Sequence, residues 1–132
     1  MYCLDSNIII FFFKNQDIIL NQRLVEALLN EEISTTIICA SELLYYSYRN
    51  NATKSLELRK EFLEQLHIFD FDYQAALIFA QVKVELESMG QKIDDIDLQI
   101  ASICLVKDLI LITNNTKHFQ NIKNLKLQDW SK

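Results

Sequence analysis

Asp5, Glu42, Asp97 and Asn115 carry oxygen donors in four separate segments, "YCLDS", "CASELL", "DDIDLQIAS" and "LITNNT". Each stands where a strand-like apolar run ends or a helical pattern begins. Carboxylates are costly to bury without a partner. Several brought together repel one another and drive their pKa values upward. A hard divalent cation that prefers oxygen ligands, Mg²⁺ or Mn²⁺, relieves that repulsion. Taken singly, each acid has a plainer reading: Asp5 as a strand-end turn residue, Glu42 as a helix-start glutamate, Asp97 as an acid worth under ~1 kcal/mol against a helix dipole. Taken together, they point to a site that holds a metal ion.

Asp97 is the most informative of them. At helical spacing it shares a stripe with Ile100, Ala101, Cys104 and Leu105, so it is expected to face inward. Asp94 fits the solvated helix start, and Asp95 is a candidate supporting acid.

These residues need elements to position them. "MYCLD" reads as a short buried strand. "SNIIIFFFK" opens a helix with Ser6 as a possible N-cap. Residues 17–31 show helical spacing in Ile19, Leu20, Leu24 and Leu28. "STTIIC" is β-branched and strand-like, which puts Glu42 at the start of the following helix, "ASELLYYSYRNN". "TKSLELRKEFLEQL" is a further helix and "HIFDF" a third strand. A long amphipathic helix then runs to Gly90, placed for a C-terminal stop. "DDIDLQIASICLVK" (helix), "DLILIT" (buried strand), "NNTKHFQNI" (turn and short helix) and "LKLQDW" (last strand) complete the chain. Strands alternate with helices, and "LILI" is apolar without alternation. A parallel sheet covered on both faces follows. In such sheets, sites form at the carboxyl ends of strands near the point where strand order reverses.

The chain has 132 residues, half of them apolar, enough for a core in a single α/β domain spanning 1–132. One glycine and no proline exclude a P-loop or a dinucleotide fingerprint. A net charge of −5 weighs against a purely electrostatic nucleic-acid binder, though not against an enzyme holding a polyanion through metal and a local basic patch. Cys3, Cys39 and Cys104 sit in apolar settings without a CxxC, as buried free thiols of a reducing compartment. With only His67 and His118, a zinc site has little to draw on. No signal peptide is recognised, and "IIIFFF" is far short of the ~20 residues that span a bilayer. A cytoplasmic location is expected.

"YCLDSNIII", "ICASELLYYSYR", "GQKIDDIDLQIAS" and "LILITNNTKHFQNIKNLKLQDW" together resemble a PIN-domain ribonuclease of the VapC-type toxins in bacterial toxin–antitoxin pairs. The likeness runs from Met1 to Trp130 and is strongest in the D-x-x-I-A segment, Asp97 to Ala101. It implies a PIN-like three-layer α/β/α domain with a central, mostly parallel twisted sheet of four or five strands. It also implies a Mg²⁺-dependent acidic site, and maps the family's acids onto Asp5, Glu42 and Asp97. Asn115, a neutral amide, takes the position where PIN domains often carry a fourth acid. Asp94 stands where the family often has glycine.

In the reading that follows, the three acids hold Mg²⁺ (or Mn²⁺), and a water so activated attacks the scissile phosphorus of RNA. Asn115 positions water or phosphate, while Ser6, Thr113 and Asp95 are candidate supports for the acids. Arg49, Lys92 and Lys117 are candidate phosphate contacts, or plain surface charge. Tyr45, Tyr46 and Tyr48 either stack on bases or pack on a neighbouring helix. His118 falls near the proposed site but, with Phe119, is expected to anchor the turn. The apolar "IIIFFF" and "LLYYSY" are either core or a partner groove. The resemblance suggests an antitoxin peptide covering the site and a toxin homodimer, with no membrane involvement. Two rivals remain: a Mg²⁺-dependent phosphatase or DNA nuclease, and a non-catalytic module that keeps the fold without metal.

Overall fold

The computed structural model describes residues 1–30 and 32–131. Strands and helices alternate as β1 (Tyr2–Leu4), α1 (Ser6–Lys14), α2 (Ile18–Leu29), β2 (Ile33–Thr36), α3 (Ile37–Arg49), α4 (Thr53–Glu64), β3 (His67–Phe69), α5 (Tyr73–Ser88), α6 (Asp95–Lys107), β4 (Ile110–Ile112), α7 (Thr116–Phe119) and β5 (Lys126–Gln128). All five strands are parallel, in the order β3-β2-β1-β4-β5. From the central β1 the chain first fills one side with β2 and β3. It then crosses to the other side for β4 and β5, so strand order reverses between β1 and β4. Crevices outside the carboxyl ends of strands form at such a reversal.

Alternating side chains of the central strands feed two cores. Leu4 and Ile112 pack with Ile8, Ile9, Leu20, Leu24, Leu43 and Phe62 on one face. Cys3 and Leu111 pack with Leu98, Ile100, Ala101, Cys104 and Phe119 on the other. Helix α3 divides its apolar residues between them, Ala40 and Leu43 to the first and Cys39 to the second. The result is the expected three-layer α/β/α arrangement.

The run "IIIFFF" goes largely into the core. Ile8 and Ile9 are fully buried, and Phe12 and Phe13 pack on Phe62 of α4 with ring centroids 5.6 and 5.4 Å away. Of "LLYYSY", Leu43 is buried while all three tyrosines are exposed.

Three boundaries differ from expectation for identifiable reasons. The strand expected over 34–39 ends at Thr36, because the Thr36 hydroxyl accepts from the backbone N–H of Cys39 at 3.1 Å and caps a helix there. The β-branched Ile37 and Ile38 are therefore helical, and Glu42 lies in the second turn of α3 rather than at its start. Asp5, not Ser6, caps α1, its Oδ1 accepting from the Ser6 N–H at 2.8 Å. The helix expected over 17–31 is observed as α2, capped by Asp17; position 31 lies outside the described residues, as does position 132. Gly90 behaves as expected, taking a left-handed conformation (φ +69°) just past α5, with the Gln91 N–H closing back onto the Leu86 carbonyl.

Candidate active site

The site assembles around Asp5 because the ladder between β1 and β4 continues one step beyond the sheet. The Asp5 N–H donates to the Ile112 carbonyl at 3.0 Å, and the Asp5 carbonyl accepts from Ile8 and Ile9. The backbone of this residue is thus held by both a strand and a helix start. Its side chain is 4% exposed and nonetheless well supplied with donors. Oδ2 accepts from the Thr113 hydroxyl at 2.9 Å, and Oδ1 accepts from the Ser6 N–H. The Cys39 thiol reaches Oδ1 at 3.9 Å. Thr113, fully buried at the end of β4, also accepts from the Asn115 N–H at 3.0 Å. The Ser6 hydroxyl donates to Glu42 Oε1 at 3.1 Å. A continuous chain, Glu42–Ser6–Asp5–Thr113–Asn115, therefore ties together α1, α3 and the segments following β1 and β4.

Asp97 enters from the first turn of α6. One of its oxygens, Oδ2, lies 3.4 Å from His118 Nδ1. Its charge is felt at both Asp5 and Glu42. All three acids are held above the ordinary carboxylate range. Burial is the largest cause in each, and repulsion from Asp97 adds at Asp5 and Glu42. Donors oppose the shift: Thr113 and Ser6 at Asp5, Ser6 at Glu42, and His118 at Asp97. Burial and the nearby charge of Asp5 push the Cys39 thiol up as well, so it stays protonated beside Asp5.

Ligand atoms of Asp5, Cys39 and Glu42 lie within 4.8 Å of one another. A neutral thiol suits a hard cation poorly, whereas carboxylate oxygens suit it well. The donor set thus fits a divalent cation of the magnesium type: two acids lie within reach of one ion, and the charge of a third, Asp97, acts on both.

Among the residues expected at the site, Asp5, Ser6, Glu42, Thr113 and Asn115 are joined by hydrogen bonds, and Asp97 lies near enough for its charge to act on Asp5 and Glu42. Asp95 does not belong with them. It pairs with Lys83 of α5 at 2.9 Å on the surface, because residues two apart on a helix point away from each other. Asp94 precedes α6 without capping it through its side chain. Lys92 lines a groove between α5 and α6 with Lys83, Asp94 and Asp95. Lys117 lies in α7, beside His118, and Arg49 at the C-terminal end of α3; both are exposed. Two contacts went unread in the sequence. His118 reaches Asp97 rather than serving only the turn, while Phe119 is the buried anchor. Cys39 stands one helical turn before Glu42, a spacing that the helix start at Ile37 makes meaningful.

Fold and acids together define the class. A family model described as PIN domain matches residues 2–125, and the chain belongs to the PIN-domain family. Within that family its relatives are VapC ribonucleases. It is 32% identical to "Ribonuclease VapC1" of Haemophilus influenzae strain R2866, over all of this chain and 99% of the relative. It is 29% identical to the "tRNA(fMet)-specific endonuclease VapC" of Shigella flexneri, over 98% of both. Among solved structures, the VapBC complex of Salmonella typhimurium bound to DNA matches with a TM-score of 0.89 at 28% identity, covering 98% of this chain and 97% of that one. VapBC2 of Rickettsia felis, bound to a promoter DNA fragment, matches with a TM-score of 0.88 at 29% identity, covering 98% of each chain.

Proposed function

We propose that this chain is the toxin of a toxin–antitoxin pair, a Mg²⁺-dependent endoribonuclease that cleaves RNA phosphodiester bonds. The observation that carries the reading is the convergence of Asp5, Glu42 and Asp97, from three different elements, on the strand-order reversal of a PIN-domain sheet. Asp5, Glu42 and Asp97 would hold the ion, with Mn²⁺ as a substitute. When bound, the ion supplies a water of lowered pKa as nucleophile and positive charge against the phosphate.

The remaining work falls to the chain's own groups. Thr113 and the Ser6 N–H fix the Asp5 carboxylate in one orientation, as supporting donors do for metal ligands. Ser6 engages Glu42 Oε1 and leaves Oε2 to hold the ion, directly or through the water that attacks, and so to orient that water. His118 holds Asp97 by Oδ2, and the Asn115 amide orients water or a phosphate oxygen. None of these steps uses the 2′-OH, so the choice of RNA rests on the kinship with VapC ribonucleases.

By the same kinship, the physiological partners are an antitoxin protein that covers the site and a second copy of the toxin. The tRNA(fMet) in the name of the Shigella relative is the first RNA to try. We place the protein in the cytoplasm, in keeping with three free buried thiols. No described helix is long and apolar enough to cross a membrane.

The test is an assay of RNA, DNA and a small phosphomonoester, with and without EDTA. RNA cleavage that needs Mg²⁺ and disappears in Asp97→Asn supports the reading. Full cleavage by that variant eliminates the acid-cluster mechanism. Turnover of the phosphomonoester favours the phosphatase rival, which wants a second aspartate where this chain has Asn7. Calorimetry with no Mn²⁺ binding favours a non-catalytic module.

A further inference from the structure

Helix α3 does more than deliver Glu42. Positions 42, 45, 46 and 49 recur at i, i+3, i+4 and i+7, which places their side chains on one face of the helix. The face therefore reads, in order, a site carboxylate, Tyr45 and Tyr46 on the next turn, and Arg49 on the turn after that. Tyr45 and Tyr46 are 58% and 38% exposed. Their ring centroids are 5.6 Å apart and their planes 57° from parallel, so neither ring covers the other. Arg49 is exposed and makes no ion pair with the described residues. Tyr48 is also exposed, at 63%, but lies roughly 120° away around the helix from Glu42.

Two adjacent exposed rings beside a proposed metal ligand offer flat apolar surface on which a base can stack. We propose that this face of α3 is a track for single-stranded RNA: Tyr45 and Tyr46 stack a base next to the scissile phosphate, and Arg49 pairs with a phosphate further along the strand. The proposal rests on the ribonuclease reading above and deepens it by naming how the substrate is gripped. Two features favour RNA over a protein occupant. The face is continuous with the acid cluster, since Glu42 is its first member. It also ends in a lone cation, in a molecule whose overall charge of −5 otherwise repels a polyanion. The rise of ~1.5 Å per residue puts Arg49 roughly 10 Å along the axis from Glu42. That leaves room for a base on the tyrosines between two bound phosphates. Aromatic stacking is tolerant of sequence, because every base has a π-face. This track therefore sets the grip and register of the strand more than the identity of the bases.

The test measures binding to the full chain carrying Asp97→Asn, so that the strand is not cut and binding is read apart from the metal. The probes are a fluorescent oligoadenylate of roughly 12 nucleotides, within the range that single-strand binders cover, and an abasic strand of equal length. Adding Tyr45→Ala and Tyr46→Ala should weaken oligoadenylate binding by roughly 5- to 100-fold and leave abasic binding unchanged. Phenylalanine at both positions should restore affinity, and Tyr48→Ala should have no effect. Arg49→Ala should reduce the slope of log affinity on log salt by about one. Equal oligoadenylate affinity with and without the two rings overturns the proposal. So does a tyrosine variant that elutes as a smaller species than its parent, which would make this face a contact between two copies of the chain. If this parent binds neither strand, the track is overturned, while the ribonuclease reading stands or falls separately with Mg²⁺-dependent cleavage by the chain that keeps Asp97.

Discussion

Thr113 shows how much a single side chain carries here. Its hydroxyl donates to the buried Asp5 and accepts from the Asn115 N–H, so it orients a proposed metal ligand and the adjoining loop together. Thr113→Val keeps the shape of the residue and removes the donor. A buried carboxylate left without its partner costs roughly 1–3 kcal/mol, and loss of a group that orients a metal ligand lowers activity by about 10- to 100-fold. Thermal melts and RNA-cleavage rates check both effects. Asp97→Asn behaves oppositely on the two axes. Cleavage should fall by more than ~100-fold, since a ligand matters more than its support. The chelated protein should melt higher at neutral pH, because a half-buried charge that repels Asp5 and Glu42 has been removed. A variant that loses both activity and stability would instead mark Asp97 as a folding residue.

At the scale of elements, the caps separate function from stability. Thr36 starts α3 and so sets where Glu42 and Cys39 project, whereas Asp72 starts α5, which carries none of the acids. Thr36→Ala and Asp72→Ala should each cost about 1 kcal/mol. Only the first should slow RNA cleavage at a temperature where both variants are folded. Equal activity in the two would mean that α3 reaches its position by packing alone.

The same helix marks where sequence patterns stopped being legible. Asp5, Glu42 and Asp97 were visible because carboxylates interrupt apolar runs at a strand end or early in a helix, and alternation of strands with helices was enough to place them at one edge. "STTIIC" misled, because β-branched residues favour strands while a threonine can equally well cap a helix, and only tertiary packing decides. Asp95 misled for a related reason. Two positions of helical phase separate the site-facing Asp97 from Asp95 and its surface ion pair, and the run of acids at 94, 95 and 97 left that phase ambiguous. His118 was hidden in a four-residue helix, too short for any periodic signal. The buried "IIIFFF" and the exposed tyrosines have the same apolar appearance in sequence, and Phe62, far along the chain, is what distinguishes them.

For the whole molecule, the acid cluster makes stability depend on pH and metal in a defined direction. Asp5, Glu42 and Asp97 bind protons more tightly when folded than when unfolded. Without metal, their contribution to stability is greatest in acid. It declines as pH rises from the ordinary carboxylate range, about pH 4, through the raised folded values. A cation that binds only the folded form stabilises by mass action and offsets that decline. The melting temperature of the chelated protein should therefore drop from mildly acidic to neutral pH, and saturating Mg²⁺ should raise it more at neutral pH than in acid. A metal-induced rise that is the same at both pH values would separate metal binding from these carboxylates.

The central claim is that three acids from separate elements hold one divalent cation, and calorimetric titration of Mn²⁺ into the full chain addresses it without any substrate. Binding should be clear in the parent protein and lost or strongly weakened in each of Asp5→Asn, Glu42→Gln and Asp97→Asn. Heats that persist undiminished in all three variants, or that are missing from the parent, would contradict it.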